Sequence, residues 1–257
     1  MEWYEKLYRN RYSHLCGFAS PEETRKEVQF VTNVLQLKPG DHLLDLCCGF
    51  GRHTHEIAKL AGCRVTGFDL SAEYIQLARE KYSTANTHYQ QGDMRHLPWK
   101  DYFQAVVNLF TSFGFFAEDV ENEKVLREVN KVLKPGGLFL LDYENKYHFI
   151  QHDVRQRGRH WQRDEEGTLY LIRNSYDVFT EREQYWVDIY ENDEFVDRVG
   201  YDIRLYSFPE LEKMLVRNGF QVVQTWGDFD HSEFSLQSRR LITLAQKMDG
   251  SSERKSI

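Results

Sequence analysis

The stretch Leu43-Leu44-Asp45-Leu46-Cys47-Cys48-Gly49-Phe50-Gly51-Arg52-His53-Thr54 decides how the chain is read. His42 to Cys47 is a short apolar run, the pattern of a buried strand. Gly49 and Gly51 then make a turn that opens a helix through Ile57, Ala58 and Leu60. Glycines there tolerate positive φ and let the backbone approach a ligand closely. The free N–H groups at the helix start form an anion site. The next strand, Arg64 to Phe68, ends at Asp69, which stands 24 residues after Asp45. An acid at that place suits ribose hydroxyls.

Outward from this centre the alternation continues. Ser71-Ala72-Glu73 caps a helix, Thr87 to Gln91 is a third strand, and Gly92-Asp93 follows it. Phe103 to Phe110 is a fourth strand, Asp119 opens a helix that ends at Lys134-Pro135-Gly136-Gly137, and Leu138 to Asp142 is a fifth strand. Apolar strands alternating with amphipathic helices call for a parallel sheet covered on both sides. Upstream, Ser20-Pro21-Glu22-Glu23 starts a helix whose apolar face carries Val28, Val31, Val34 and Leu35. Downstream, residues 168–178, 183–191 and 195–206 read as antiparallel strands. Ser207-Phe208-Pro209-Glu210 starts another helix, and Phe220 to Trp226 and Leu236 to Ala245 read as two final strands.

Composition narrows the class. Of 257 residues, 41% are hydrophobic and 28% charged, ordinary for a globular chain with a sizeable core. The net charge of −7 and the lack of a basic run disfavour nucleic acid as partner. No stretch approaches the roughly 20 apolar residues of a membrane helix, and the first residues lack a signal-peptide core, so a cytoplasmic location is expected. Cys16, Cys47, Cys48 and Cys63 make no Cys-x-x-Cys pair or zinc-finger spacing, so no metal site is expected.

Gly-x-Gly followed by an acid also fits a nicotinamide site, but Thr54 stands where the dinucleotide fingerprint has its third glycine. The ordered series Asp45 to Gly51, Val65 to Ser71, Gln91-Gly92-Asp93-Met94, Phe103 to Asn108 and Val132 to Gly137 resembles the class I, Rossmann-like S-adenosylmethionine (SAM)-dependent methyltransferases, small-molecule type. The likeness is strong over about residues 40–145 and weaker over 207–246.

The resemblance implies a doubly wound, mostly parallel seven-stranded α/β sheet with helices on both faces, a reversed final hairpin and an antiparallel β insertion. Residues 1–145 and 207–247 would form the SAM-binding domain, with 1–36 as N-terminal helices or lid and 146–206 as the insertion covering the acceptor site. It implies SAM as cofactor, S-adenosylhomocysteine (SAH) as product, and a small-molecule acceptor methylated on N or O by in-line displacement.

Carried over by position, Gly49 and Gly51 would let the loop pass the amino-acid part of SAM, and Asp45 would act on that part directly or through water. Asp69 would bind the ribose hydroxyls, and Asp93 and Met94 the adenine. Asn108 and Phe110 would face the methionine part and acceptor, with Cys47 and Leu70 beside the cofactor. Lid candidates are Tyr4, Tyr8, Arg11 and Tyr12. Acceptor-pocket candidates are Tyr143, Tyr147, His148, Trp186, Tyr201 and Arg204, and Ser235, Ser238, Arg239 and Arg240 are placed at the pocket mouth. Arg52 and His53 read as capping or solvated side chains. Other readings left open are an RNA or protein methyltransferase of the same fold, and a SAM- or SAH-binding protein without catalysis. No Asn-Pro-Pro-Tyr-like box follows the fourth strand, where the chain reads Asn108-Leu109-Phe110-Thr111.

Overall fold

The computed structural model describes residues 20–154, 158–164 and 167–248. The lid candidates Tyr4, Tyr8, Arg11 and Tyr12 lie outside the described residues. Helix α1 (Pro21–Val34) begins at a capping box, in which Glu23 N–H donates to Ser20 Oγ at 3.2 Å and Ser20 N–H to Glu23 Oε2 at 2.6 Å. Strand β1 (His42–Leu46) leads through the glycine loop into α2 (Arg52–Ala61). Then come β2 (Arg64–Asp69), α3 (Ala72–Tyr82), β3 (Thr87–Gln91), β4 (Phe103–Asn108), α4 (Asp119–Val132) and β5 (Leu133–Glu144).

A helical turn at Lys146–His148 and a π-helical turn at Phe149–Val154 precede β6 (Arg159–Arg163), β7 (Leu169–Asp177), β8 (Arg182–Glu191) and β9 (Glu194–Arg204). The last described elements are α5 (Phe208–Arg217), β10 (Phe220–Trp226) and β11 (Arg240–Lys247).

The main sheet has seven strands in the order β10-β11-β5-β4-β1-β2-β3. Strands β3, β2, β1, β4 and β5 are parallel, and β11 is antiparallel to both β5 and β10. The chain reverses its direction of travel across the sheet between β1 and β4, the place where such folds open a ligand crevice beyond the strands' carboxyl ends. One face of the sheet is packed by Val125, Leu126 and Val129 of α4 with Leu211, Met214 and Leu215 of α5. The other is packed by Val28, Phe30 and Val31 of α1 with Ile57 and Ala58 of α2. One face of helix α1 is therefore part of the core.

Two strand starts differ from the sequence reading by several residues. Strand β5 starts at Leu133, not Leu138, because Leu133 already pairs with Phe103 and the Pro135-Gly136-Gly137 segment is absorbed as a register shift, with Gly136 at φ +70°. Strand β11 starts at Arg240, not Leu236, because Ser235 and Ser238 close a turn, Ser238 N–H donating to Ser235 O at 3.2 Å.

The insertion is a separate antiparallel sheet, β6-β7-β8-β9. Its inner face carries Glu183, Tyr185, Val187 and Ile189 of β8 opposite Ile203, Tyr201, Val199 and Asp197 of β9. Tyr176, Tyr201 and Ile203 on this sheet pack against the main core cluster that contains Phe113, Tyr143 and Tyr206. Two hydrogen bonds pin the sheet to the loop after β4: the Arg204 backbone N–H donates to Gly114 O at 2.9 Å, and the Arg182 guanidinium donates to Phe116 O at 3.1 Å. No helix among the described residues is long and apolar enough to cross a membrane.

Candidate active site at the carboxyl ends of the parallel strands

All five residues of β1 are buried, so Asp45 is a carboxylate inside an apolar strand, 2% exposed. Thr54 Oγ1 donates to it at 2.6 Å, tying the first turn of α2 to the strand. Burial pushes the Asp45 carboxyl up, opposed by His53, the Thr54 hydrogen bond and Arg52. Cys47, Gly49 and Gly51 all adopt the left-handed region, at φ +64°, +54° and +87°. The two glycines differ in what surrounds them. A Cβ on Gly51 would lie 2.6 Å from the Tyr89 ring, so this glycine serves helix–strand packing. A Cβ on Gly49 would meet nothing within 4 Å, so Gly49 alone of the pair borders open space.

Asp69 ends β2 and reaches across to this loop. Gly49 N–H donates to its Oδ2 at 2.8 Å and Ser71 N–H to its Oδ1 at 2.9 Å. Burial raises its carboxyl pKa, and these N–H bonds oppose the rise. Leu70 follows, 37% exposed. Met94 Sδ accepts from the Cys47 thiol at 3.5 Å, so the loops after β1 and β3 touch. Asp93 beside it is gripped by Arg95, whose guanidinium donates to Oδ2 at 2.6 Å and whose N–H donates to Oδ1 at 2.8 Å. Burial alone would raise the Asp93 carboxyl, but the Arg95 bonds outweigh it and hold the pKa below the usual value.

At the end of β4, Asn108 is 2% exposed and its Nδ2 donates to Leu46 O at 2.9 Å. Its Oδ1 is buried without a hydrogen-bond partner among the described residues. Such an orphaned acceptor at a sheet crevice calls for a ligand donor. The chain then kinks: Phe110 and Thr111 sit at φ +57° and +54°. Phe110 N–H donates to Asp142 Oδ2 at 2.8 Å, and the ring, 39% exposed, lies 4.7 Å from the Arg52 guanidinium and 4.8 Å from that of Arg240. Asp142 is fully buried and held by Arg240 Nη2 at 2.7 Å.

Sequence reasoning missed three of these partners. Asp142 lies near the end of an apolar strand and carries no motif. Arg52 and His53 are neither solvated nor mere caps: both donate to Glu27 of α1, at 3.1 and 2.8 Å, and His53 is 6% exposed. Glu27 lies on the apolar-spaced face of its helix, between Thr24 and Val31, and that misplaced acid was the available signal.

The acceptor-pocket candidates do not converge. Tyr143 is fully buried in the core beside Phe113 and Tyr206, its hydroxyl donating to Arg204 O, so it lines no open pocket. Trp186 and Tyr201 project from opposite faces of the insertion, because Trp186 is paired with Gly200 and Tyr185 with Tyr201. Arg204 is bound into an ion network with Glu181 and Glu210. Tyr147 is 36% exposed, and His148 stacks on His152 at 4.4 Å. Tyr201 is the candidate that faces the main domain's core cluster. Arg239 and Arg240 border a cleft of about 920 Å³ between α1 and the 228–231 segment, with Phe110 and Phe229 also in its wall. Ser235 and Ser238 are instead engaged with each other, Ser235 N–H donating to Ser238 Oγ at 2.8 Å. Among the described residues no group of three or more His, Cys, Asp or Glu is placed to hold a metal.

The donor set fits a ligand with ribose hydroxyls, an ammonium and a purine: two carboxylates at adjacent strand ends, an open glycine, an orphaned amide oxygen and a thioether. Residues 43–137 match the family model described as a methyltransferase domain. YqeM of Bacillus subtilis (strain 168), described as a methyltransferase, is 31% identical over 246 residues, covering 92% of this chain and 94% of that protein. Two solved structures share the fold. An S-adenosylmethionine-dependent methyltransferase from Clostridium acetobutylicum is 16% identical with a TM-score of 0.75, over 93% of this chain and 99% of the other. SAM-bound CalS10, an amino pentose methyltransferase from Micromonospora echinaspora, is 20% identical with a TM-score of 0.66, over 96% and 98%. Crevice, motif order and full-length kinship agree that this chain belongs to the class I SAM-dependent methyltransferases and takes SAM as its cofactor.

Proposed function

We propose that the chain transfers the methyl group to N or O of a small molecule held between the insertion and the carboxyl ends of β4 and β5. One observation carries this reading: the β6–β9 sheet is fastened to the loop after β4 through Gly114 and Phe116, directly beyond the strand ends that border the cofactor crevice. A cover of that kind encloses a ligand and excludes water, which suits a small acceptor better than a long polymer. CalS10, named for an amino pentose, is a neighbour of that type. The net charge of −7 also disfavours an RNA acceptor.

In this reading Asp69 holds the ribose hydroxyls, and Asp45 acts on the ammonium directly or through water. Gly49 gives the loop room, and Asn108 Oδ1 accepts from the methionine part. Leu70 and Met94 pack on the adenine, with Cys47 behind Met94. Asp93 still has lone pairs for the adenine amine, since a carboxylate has about four acceptor sites and Arg95 occupies part of them. The cofactor supplies a methyl already activated on sulfonium. The chain's work is then to hold the acceptor in line and keep water out.

The experiment is SAH release with labelled SAM, using a panel of small amines, phenols and carboxylic acids beside total tRNA and protein. Release stimulated by small molecules alone supports the reading; label entering only RNA or protein overturns it.

A further inference from the structure

We propose that Arg52 binds the carboxylate of SAM's amino-acid end and that Glu27 of α1 positions it for that task. The inference rests on the reading that Asp45 acts on the ammonium of the same end. An amino acid is a zwitterion, so a crevice that meets its ammonium with an acid must also meet its carboxylate with a cation, because a charge taken out of water without a partner is costly. Arg52 is the first residue of α2, directly after Gly51. Its side chain is 14% exposed, and its hydrogen bonds among the described residues both come from Nη1, to Thr24 Oγ1 at 2.6 Å and to Glu27 Oε2 at 3.1 Å. Nε and Nη2 are left unengaged. These are the two parallel donors through which a guanidinium takes a carboxylate side-on, as Arg240 takes Asp142.

Charge and place agree with the role. The Glu27 carboxylate is shared, since Oε2 also bonds His53 Nε2 at 2.8 Å. Burial pushes the Arg52 pKa down, and the charges of Glu27 and Asp45 oppose that without cancelling it. The guanidinium is thus short of negative charge and within electrostatic reach of Asp45. Phe110, at the end of β4, holds its ring 4.7 Å from the guanidinium. Phe110 and Glu27, the groups on either side of Arg52, both stand in the wall of the 920 Å³ cleft. Arg240 lies 4.8 Å from the same ring, but its Nε and Nη2 are spent on Asp142. By anchoring Nη1 and leaving Nε and Nη2 free, Glu27 sets which edge of the guanidinium a ligand meets.

The test uses the full chain and three ligands: SAH, decarboxylated SAH, which keeps the ammonium and lacks the carboxylate, and methylthioadenosine, which lacks the amino-acid end altogether. Binding is measured by calorimetry. The wild type is expected to bind SAH about tenfold or more tightly than decarboxylated SAH. Arg52→Ala should lose about tenfold for SAH, with decarboxylated SAH little changed. Arg52→Lys keeps the charge without the fork, and Glu27→Gln keeps an acceptor oxygen; both should lose less, in the same direction. Equal binding of SAH and decarboxylated SAH by the wild type overturns the assignment without need of any variant. So does an undiminished preference for SAH in Arg52→Ala, or a loss that falls on both ligands equally, which is what a merely structural role would give. Asp45→Asn tests the underlying reading separately: it should weaken SAH and decarboxylated SAH and spare methylthioadenosine. Decarboxylated SAH bound undiminished by Asp45→Asn overturns the ammonium reading, whatever the Arg52 variants show.

Discussion

Asp69, the last residue of β2, accepts the backbone N–H of Gly49 at 2.8 Å and so holds the loop that follows β1. The same carboxylate is the ribose acceptor proposed above, which makes it both a strut and a ligand. Asp69→Ala should lower SAH affinity by about 10- to 100-fold, the scale of losing hydrogen bonds to a charged group. Asp69→Asn keeps one acceptor oxygen and should fall between. Calorimetric titration with SAH decides this; an alanine variant that binds as the wild type does would leave Asp69 a strut only.

The two motif glycines should fail differently. Both sit at left-handed φ, so alanine costs roughly 1–2 kcal/mol at either position. At Gly51 the added Cβ would also strike the Tyr89 ring, 2.6 Å away, while at Gly49 it would project into open space. Gly51→Ala should therefore lower the melting temperature further than Gly49→Ala. Gly49→Ala should be the one that weakens SAH binding out of proportion to its loss of stability. Thermal unfolding and titration of the two variants, run side by side, check the contrast.

Much of this was legible in the chain because periodicity and motif order are local. The strands β1 to β4 and the Asp45, Gly49, Asp69 and Met94 positions all follow from short stretches whose spacing is fixed by one strand–turn–helix unit. What escaped was set by distant partners. The edge strand β6, Arg-His-Trp-Gln-Arg, is exposed throughout and has no alternation to read; its pairing with β7 makes it a strand. Tyr143 was a pocket candidate near the end of β5, yet the carbonyl of Arg204, from the insertion, draws its hydroxyl inward. Glu27 joins Arg52 and His53 across 25 and 26 residues of sequence, a separation that no local pattern reports.

Arg240 should be among the most costly side chains to remove. It is the counter-ion of Asp142, which is fully buried and also accepts Phe110 N–H. Arg240→Ala leaves that carboxylate uncompensated, an effect of about 3–5 kcal/mol for a buried pair. Because Asp142 fixes the kinked Phe110, SAH binding should weaken as well. Urea unfolding of the variant measures the first and titration the second. A loss below about 1 kcal/mol, the range of an exposed pair, would contradict the burial argument.

Stability should fall below neutrality on account of His42, at the start of β1. Burial, followed by the nearby charges of Arg64, Lys134 and His88, pushes its pKa down from 6.5 to about 4. The ring sits 9% exposed, with Nε2 2.9 Å from Thr66 Oγ1, in a setting that favours the neutral imidazole. In the unfolded chain His42 takes up a proton as the pH falls through 6.5, while the folded chain resists until about 4. Between those values the unfolded state binds more protons, so acid draws the equilibrium towards it. The contribution is fully present above pH 6.5 and is lost progressively down to about 4. His42→Gln cannot titrate, so its urea midpoint should depend less on pH across that window, whatever packing it loses at pH 7.5. Midpoints for the two proteins should converge as the pH drops from 6.5 towards 4.5; parallel curves would mean that the folded protein protonates His42 as readily as the unfolded chain does.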